Sequence, residues 1–244
     1  MTLLFRESPC ARTAEATVLS SGPEGVRLDR TLFYPAGGGQ PGDSGTLTWE
    51  GGTLRIADTR KAGEAAPLSG DDVLHIPEDA AAPLPAPGTP VTLEIDWERR
   101  HRHMRMHTTL HLLCAVVPGS VTGGQVGADR SRLDFDVPSG SLDKAEIEGA
   151  LNALIAADHP VTERIVDDAE LDRRPDLVRT LSVQPPRGGG LLRLLLIGTD
   201  EAPVDLQPCG GTHVARTGEI GPVSVVKIEN KGRQNRRIVV ALKE

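Results

Sequence analysis

The sequence predicts an α+β protein in two parts, a small N-terminal β-barrel or sandwich over residues 1–95 and an α+β domain over residues 96–244. Three features carry that prediction. Short alternating apolar segments, separated by Gly and Pro clusters, run from Ala14 to about Asp96, the pattern of a small barrel or sandwich. A stretch free of Gly and Pro then runs from Trp97 to Val117 and predicts one long helix. Beyond Pro118, apolar residues at helical spacing are interleaved with strand-like runs. With 244 residues the chain has room for two modest domains.

Taken in order, the first half offers ATVLS, VRLDRTLFY, GTLTW, TLRIAD and VTLEID as strands. The stretch from Pro77 to Pro90, PEDAAAPLPAPGTP, reads as a surface connection, with a strand from Val91 to Ile95 after it. Asp96 suits a helix N-cap and Glu98 a first turn, so the long helix begins at Trp97. A second helix is predicted from about Asp143, where Asp143 and Glu146 resemble a capping arrangement and Ile147, Leu151, Leu154 and Ile155 share a face. Strands are expected at 161–166, 191–197, 223–228 and 236–242, the last two forming a final hairpin.

Composition narrows the function classes. Hydrophobic residues at 38% and charged residues at 25% predict a folded, soluble chain rather than a disordered one. Aromatic residues at 2% exclude a base-stacking platform, so any RNA contact must be polar and basic. A formal net charge of -7 argues against general phosphate coating, though a local basic patch remains compatible with it, and no DNA partner is expected. Three scattered cysteines (Cys10, Cys114, Cys209) fit a reducing compartment, and no apolar run reaches the ~20 residues of a membrane span. The cytoplasm is the expected location.

Chemistry concentrates in three motifs. In His107-Thr-Thr-Leu-His111, residues four apart on the predicted helix project from one face, so both imidazoles can meet one metal ion. Zinc accepts imidazole readily. Far downstream stands Pro208-Cys209-Gly-Gly-Thr-His213, whose paired glycines disfavour a regular helix and let a thiolate and an imidazole converge from a loop. His107, His111, Cys209 and His213 make a tetrahedral zinc set, or three ligands with one open position if His213 stands back. Cys114 lies on the same helical stripe and could compete, but a small buried apolar role suits it better. The two-histidine zinc peptidase motif needs a Glu after the first His, and Thr108 stands there, so peptidase chemistry is disfavoured. The third motif, Gly37-Gly-Gly-Gln40-Pro-Gly-Asp43-Ser-Gly45, lacks the Gly-Lys-Ser/Thr end of a P-loop. Its glycines exceed what a turn needs, which predicts a backbone held close to a ligand or another domain.

In that order RTLFYPAGGGQPGDSG, RRHRHMRMHTTLHLL, PCGGTHVARTGEIG and the final KIENKGRQNRRI resemble the AlaX family of alanyl-tRNA editing proteins. The resemblance runs from about Ala14 to the carboxyl terminus, matches the medium-length members, and leaves no sequence for an ATP-dependent aminoacylation domain. It implies a zinc-containing editing domain of the alanyl/threonyl-tRNA synthetase type behind the barrel. It also implies an enzyme that hydrolyses serine, and glycine as a further candidate, from tRNA(Ala). By that resemblance His107, His111, Cys209 and His213 match the positions that hold one zinc, and Gln40 a residue near the amino-acid pocket. Thr31 is placed to bond the seryl side chain, with Thr108 as another candidate. A pocket built around a hydroxyl rejects a substrate lacking it by up to ~10⁴-fold, and serine has the hydroxyl that alanine lacks.

Two basic clusters are candidates for tRNA phosphates: Arg99, Arg100, Arg102 and Arg105 on the long helix, and Lys227, Lys231, Arg233, Arg236 and Arg237 near the end. The resemblance favours the second. His101 points away from the metal face and is expected in solvent, while His103 is expected at the surface or behind the ligands. His75 and His159 sit in turn-like sequence with no catalytic role expected. The rival reading is a zinc-stabilised RNA-binding module without catalysis.

Overall fold

The computed structural model describes residues 1–62, 72–137, 142–174, 177–178 and 190–243. The chain divides into two compact units, Met1–His101 and Arg102–Glu244. In the first, β1 (Thr2–Leu3) and the helical turn α1 (Leu4–Glu7) precede β2 (Thr13–Gly22), β3 (Gly25–Leu28), β4 (Arg30–Thr31), β5 (Gly45–Trp49), β6 (Gly52–Lys61), β7 (Val73–Pro77) and β8 (Pro90–Ile95). Six of these close an antiparallel barrel in the order β2-β3-β7-β6-β5-β8, with β8 returning to β2. Closure leaves the barrel with no open sheet edge.

Alternation built this barrel. In β8 Val91, Leu93 and Ile95 face inward while Pro90, Thr92 and Glu94 are exposed. They meet Val26, Leu28, Leu47, Leu54 and Ile56 in one core, each contributing about 1.5–3 kcal/mol by leaving water. The run VRLDRTLFY does not form the single strand its sequence suggests. It breaks at Asp29, whose carboxylate accepts from the Thr17 amide at 2.7 Å while its own amide donates to Thr17 O at 3.0 Å. Leu32, Phe33 and Tyr34 then turn into the interior. β7 was not foreseen, and His75 sits within it, fully buried, rather than in a turn.

The glycine-rich segment serves the barrel itself. Gly37 and Gln40 exchange backbone bonds at 3.0 and 2.9 Å around Gly38 (φ 57°) and Gly39 (φ 80°), a two-residue turn with both central φ angles positive. At Gly42 a Cβ would come within 2.0 Å of Thr59 O, so the backbone there lies close to β6 of the same barrel, where a ligand or another domain was expected. Behind the turn, Asp43 and Arg100 form an ion pair with both side chains 1% exposed. The guanidinium also donates to Leu32 O at 2.7 Å, and the carboxylate accepts from the Tyr34 amide at 2.7 Å. Arg100 is therefore no candidate for phosphate contact, a correction to the sequence reading. Arg99 donates to Gly42 O at 2.7 Å.

The long helix α2 spans Trp97–Val116, one residue short of expectation. In the second unit follow β9 (Ser120–Gln125), β10 (Arg130–Asp136), α3 (Lys144–Ala156), β11 (Val161–Asp167), the turn α4 (Glu170–Arg173), β12 (Leu191–Gly198), β13 (Pro203–Pro208), a 3-10 turn (Thr217–Ile220), β14 (Val223–Asn230) and β15 (Asn235–Leu242). They form a four-stranded sheet β14-β15-β10-β9 and a three-stranded sheet β11-β12-β13. Asp143 caps α3 by accepting from the Ala145 and Glu146 amides at 2.8 and 2.9 Å, as its sequence predicts. From α3, Asn152 exchanges two bonds of 2.9 Å with the backbone of Val223, and Glu148 accepts from the Val225 amide at 2.9 Å. That pairing blunts β14, an edge strand. The α+β class with a closed barrel stands as predicted, and among the described residues no helix is long and apolar enough to cross a membrane.

Candidate metal centre

Helix α2 presents His107 and His111 one turn apart, and the loop leaving β13 supplies Cys209 and His213. One donor atom from each of the four lies within 4.8 Å of all the others. Cys209 Sγ stands 3.6 Å from His107 Nε2 and 3.2 Å from His213 Nε2. Tetrahedral zinc with Zn–N near 2.0 Å and Zn–S near 2.3 Å places N and S about 3.5 Å apart, so the set fits such an ion. The three histidines are buried and Cys209 is partly so, which keeps competing water away.

The electrostatics suit a cation. Burial raises the Cys209 thiol, but His107 and His213 beside it outweigh burial and hold it well below its ordinary range, toward the thiolate a metal needs. Burial lowers His111, but hydrogen bonds to Asp205 and Cys209 prevail and raise it to about 10. His213 falls to about 3, chiefly through burial, against the pull of Cys209. A metal-free centre thus holds an imidazolium and a thiolate, and metal entry displaces the proton.

Each flank of the site fixes a ring. His111 Nδ1 lies 2.7 Å from Asp205 Oδ2, and Gln207 Nε2 donates to Asp205 Oδ1 at 2.7 Å. Thr108 donates its proton to Met104 O at 2.9 Å, and its oxygen lies 3.2 Å from His213 Nδ1 and accepts from the Val214 amide at 3.4 Å. Arg193 donates to Cys209 O and pairs with Glu163, anchoring the loop's start. Asp205, Gln207 and Arg193 were missed by sequence reasoning. The signal was VDLQPC, where Asp205 and Gln207 two apart fall on one face of a strand that was not assigned.

The other candidates are placed as follows. Thr31 Oγ1 lies 2.7 Å from His75 Nε2 and accepts from the Phe33 amide at 3.0 Å, while His75 Nδ1 lies 2.9 Å from Val26 O. A carbonyl only accepts, so Nδ1 carries the proton and Thr31 donates to Nε2. Gln40 is buried at the end of its turn. His103 is buried, not at the surface, and His101 stacks on Trp97 with ring centroids 5.3 Å apart. Cys114 is buried and does not belong to the four-residue cluster.

In the final hairpin Lys227 and Lys231 pair with Glu229 at 2.7 and 3.4 Å, and Arg237 grips Asp134 with bonds of 2.7 and 2.8 Å. Arg233 is exposed. Arg236 is buried and donates to Gly232 O and Asn235 O at 2.8 and 2.9 Å, so its guanidinium shapes the turn. On the long helix Arg102 reaches Asp129 at 3.3 Å and Arg105 donates to Ile220 O at 2.8 Å.

Comparison with known proteins places this arrangement. The family described as threonyl and alanyl tRNA synthetase second additional domain matches residues 192–239, and that of class II (A) tRNA synthetases matches residues 9–99. The chain is 37% identical over 227 residues to the alanyl-tRNA editing protein AlaX-M of Methanosarcina acetivorans, covering 89% of this chain and 88% of that one. It is 35% identical over 237 residues to the alanine–tRNA ligase of Pyrobaculum aerophilum, covering 93% of this chain and 25% of the ligase. To AlaX-L of Pyrococcus horikoshii it is 32% identical over 247 residues, covering 96% of this chain and 56% of the relative.

Proposed function

The chain belongs to the AlaX family of alanyl-tRNA editing proteins, and from that premise we propose a zinc-dependent hydrolase that deacylates mischarged tRNA(Ala) in trans. The proposed substrate is Ser-tRNA(Ala), with Gly-tRNA(Ala) as a second, and the proposed location is the cytoplasm. The observation that carries the reading is the convergence of His107, His111, Cys209 and His213, with the rings of His111 and His213 held from behind. The reaction adds water across the ester, freeing the amino acid and the terminal hydroxyl of the tRNA. Zinc held by these four residues would supply Lewis acidity at the ester or a grip on the amino group.

The chain's own residues divide the remaining work. Gln40 and Thr31 are the proposed contacts to the aminoacyl group. Because Thr31 gives its proton to His75, its oxygen can only accept, so a seryl hydroxyl would be the donor and an alanyl methyl would offer none. Thr108, also a candidate for catalysis, spends its proton on Met104 O, which supports a role in holding the His213 ring. The final hairpin is proposed to meet tRNA phosphates through Lys227, Lys231, Arg233 and Arg237, with Arg236 setting its turn. The barrel of residues 1–95 and the domain of 96–244 are taken as the two functional parts.

Four protein donors also suit a closed structural site, which is what the RNA-binding alternative requires. Chelation separates the two. Hydrolysis that vanishes when zinc is stripped, and returns on its addition while the far-UV spectrum holds constant, supports the enzyme. Hydrolysis that is absent in zinc-loaded protein still able to bind tRNA supports the binding module.

A further inference from the structure

Asp205 is a carboxylate buried in β13 where strand alternation would admit an apolar residue, and Val204 and Leu206 flank it. Removing a carboxylate from water is costly unless both of its oxygens are met. Both are met here. Oδ2 takes the His111 Nδ1–H at 2.7 Å and Oδ1 takes Gln207 Nε2 at 2.7 Å. Asp205 and Gln207, two apart on one strand, present the same face, so the pairing is built into the strand's register. An ionised carboxylate only accepts, which forces His111 to carry its proton on Nδ1 and leaves Nε2 for the cluster.

We propose that Asp205, braced by Gln207, is the positioning residue of this centre, fixing the tautomer and ring angle of His111 and strengthening its donation to the metal. The inference rests on the metal reading above. Behind His213 Nδ1 stands the Thr108 hydroxyl, a neutral acceptor at 3.2 Å, where His111 has a carboxylate, so among the described residues the two imidazoles are unequal partners. An anion behind His111 makes it the stronger ligand. Gln207 acts only through Asp205, since its amide reaches the histidine by way of that carboxylate.

The test measures zinc affinity by competition with a chromogenic chelator, alongside thermal melting of the metal-free protein. Wild type, Asp205→Asn, Gln207→Leu, the double variant and Thr108→Val are compared. Asp205→Asn nearly preserves shape but removes the charge, and should weaken zinc binding about 10–100-fold. Because it also takes the anion from beside the protonated His111, the metal-free melting point should fall too, and affinities are compared at a temperature where every variant is folded. Gln207→Leu should weaken it less, and the double variant should be no weaker than Asp205→Asn alone. Thr108→Val should cost less than Asp205→Asn. Zinc affinity in Asp205→Asn within about twofold of wild type, or equal and additive losses from Asp205 and Gln207, would overturn the assignment. Should Asp205→Asn fail to fold, Gln207→Leu carries the test, and an unchanged affinity there overturns it. Wild type that binds no zinc would instead overturn the metal reading, and this inference with it.

Discussion

Lowering the pH should cost the barrel stability through one residue, His75. Its ring is wholly buried, with Nδ1 donating to Val26 O and Nε2 accepting from Thr31, and burial pushes its pKa from 6.5 down to about 4. The unfolded chain takes up a proton near pH 6.5 and the folded one only near pH 4. The imidazole therefore supports the fold fully above pH 6.5, and that support is lost as pH falls toward 4. The gap between the two values, at 1.36 kcal/mol per pH unit, amounts to about 3 kcal/mol, of which about 2 are gone by pH 5. A His75→Gln variant cannot titrate. The difference in unfolding free energy between wild type and variant should therefore shrink by about 2 kcal/mol between pH 7.5 and pH 5. Urea unfolding followed by tryptophan fluorescence reads this directly, because both tryptophans of the chain, Trp49 and Trp97, lie in the barrel unit. A difference that stays constant across that range would refute the reasoning, because His75 would then be exposed to protons in the folded state.

The other predictions concern buried charge and the centre itself. Arg100→Met leaves the Asp43 carboxylate buried without its cation and should cost about 3–5 kcal/mol of barrel stability in the same urea experiment, with part of the loss recovered when Asp43→Asn is added. In metal-free protein at pH 7, iodoacetamide should label Cys209 faster than Cys10, even though Cys10 is the exposed one, and stoichiometric zinc should protect Cys209; peptide mapping checks both. Metal uptake by the centre should release protons and strengthen as pH rises, because a proton held by His111 up to about pH 10 must leave first; titration calorimetry in buffers of different ionisation enthalpy measures it.

What could be read in advance followed from local rules. Asp143 before a helix-spaced apolar run gave both the cap and the buried face of α3, and the unbroken stretch from Trp97 to Val117 gave α2 and thereby the placing of His107 and His111 on one face. The alternation in PVTLEI gave β8. Strands whose signal depended on partners escaped. β9 carries Gly123 and Gly124, which lower its propensity, and β10, RSRLDFD, reads as charged until Asp134 meets Arg237 on the neighbouring strand. β13 escaped for a similar reason, since Asp205 and Gln207 look like surface residues in sequence and become interior ones only when His111 stands opposite. Arg100 read as a phosphate candidate beside three other arginines, and the distant Asp43 and Leu32 O explain its burial. Short-range patterns thus revealed the four-residue His/Cys cluster, and long-range pairing supplied what holds it.

The most direct test of the editing proposal sets purified protein against Ser-tRNA(Ala), Ala-tRNA(Ala) and Ser-tRNA(Ser), with zinc content measured on the same sample. Rapid loss of serine from tRNA(Ala) alone, abolished by chelation and restored by zinc, is the predicted result. Zinc-loaded, folded protein that leaves Ser-tRNA(Ala) intact, or that strips alanine as fast as serine, would contradict it.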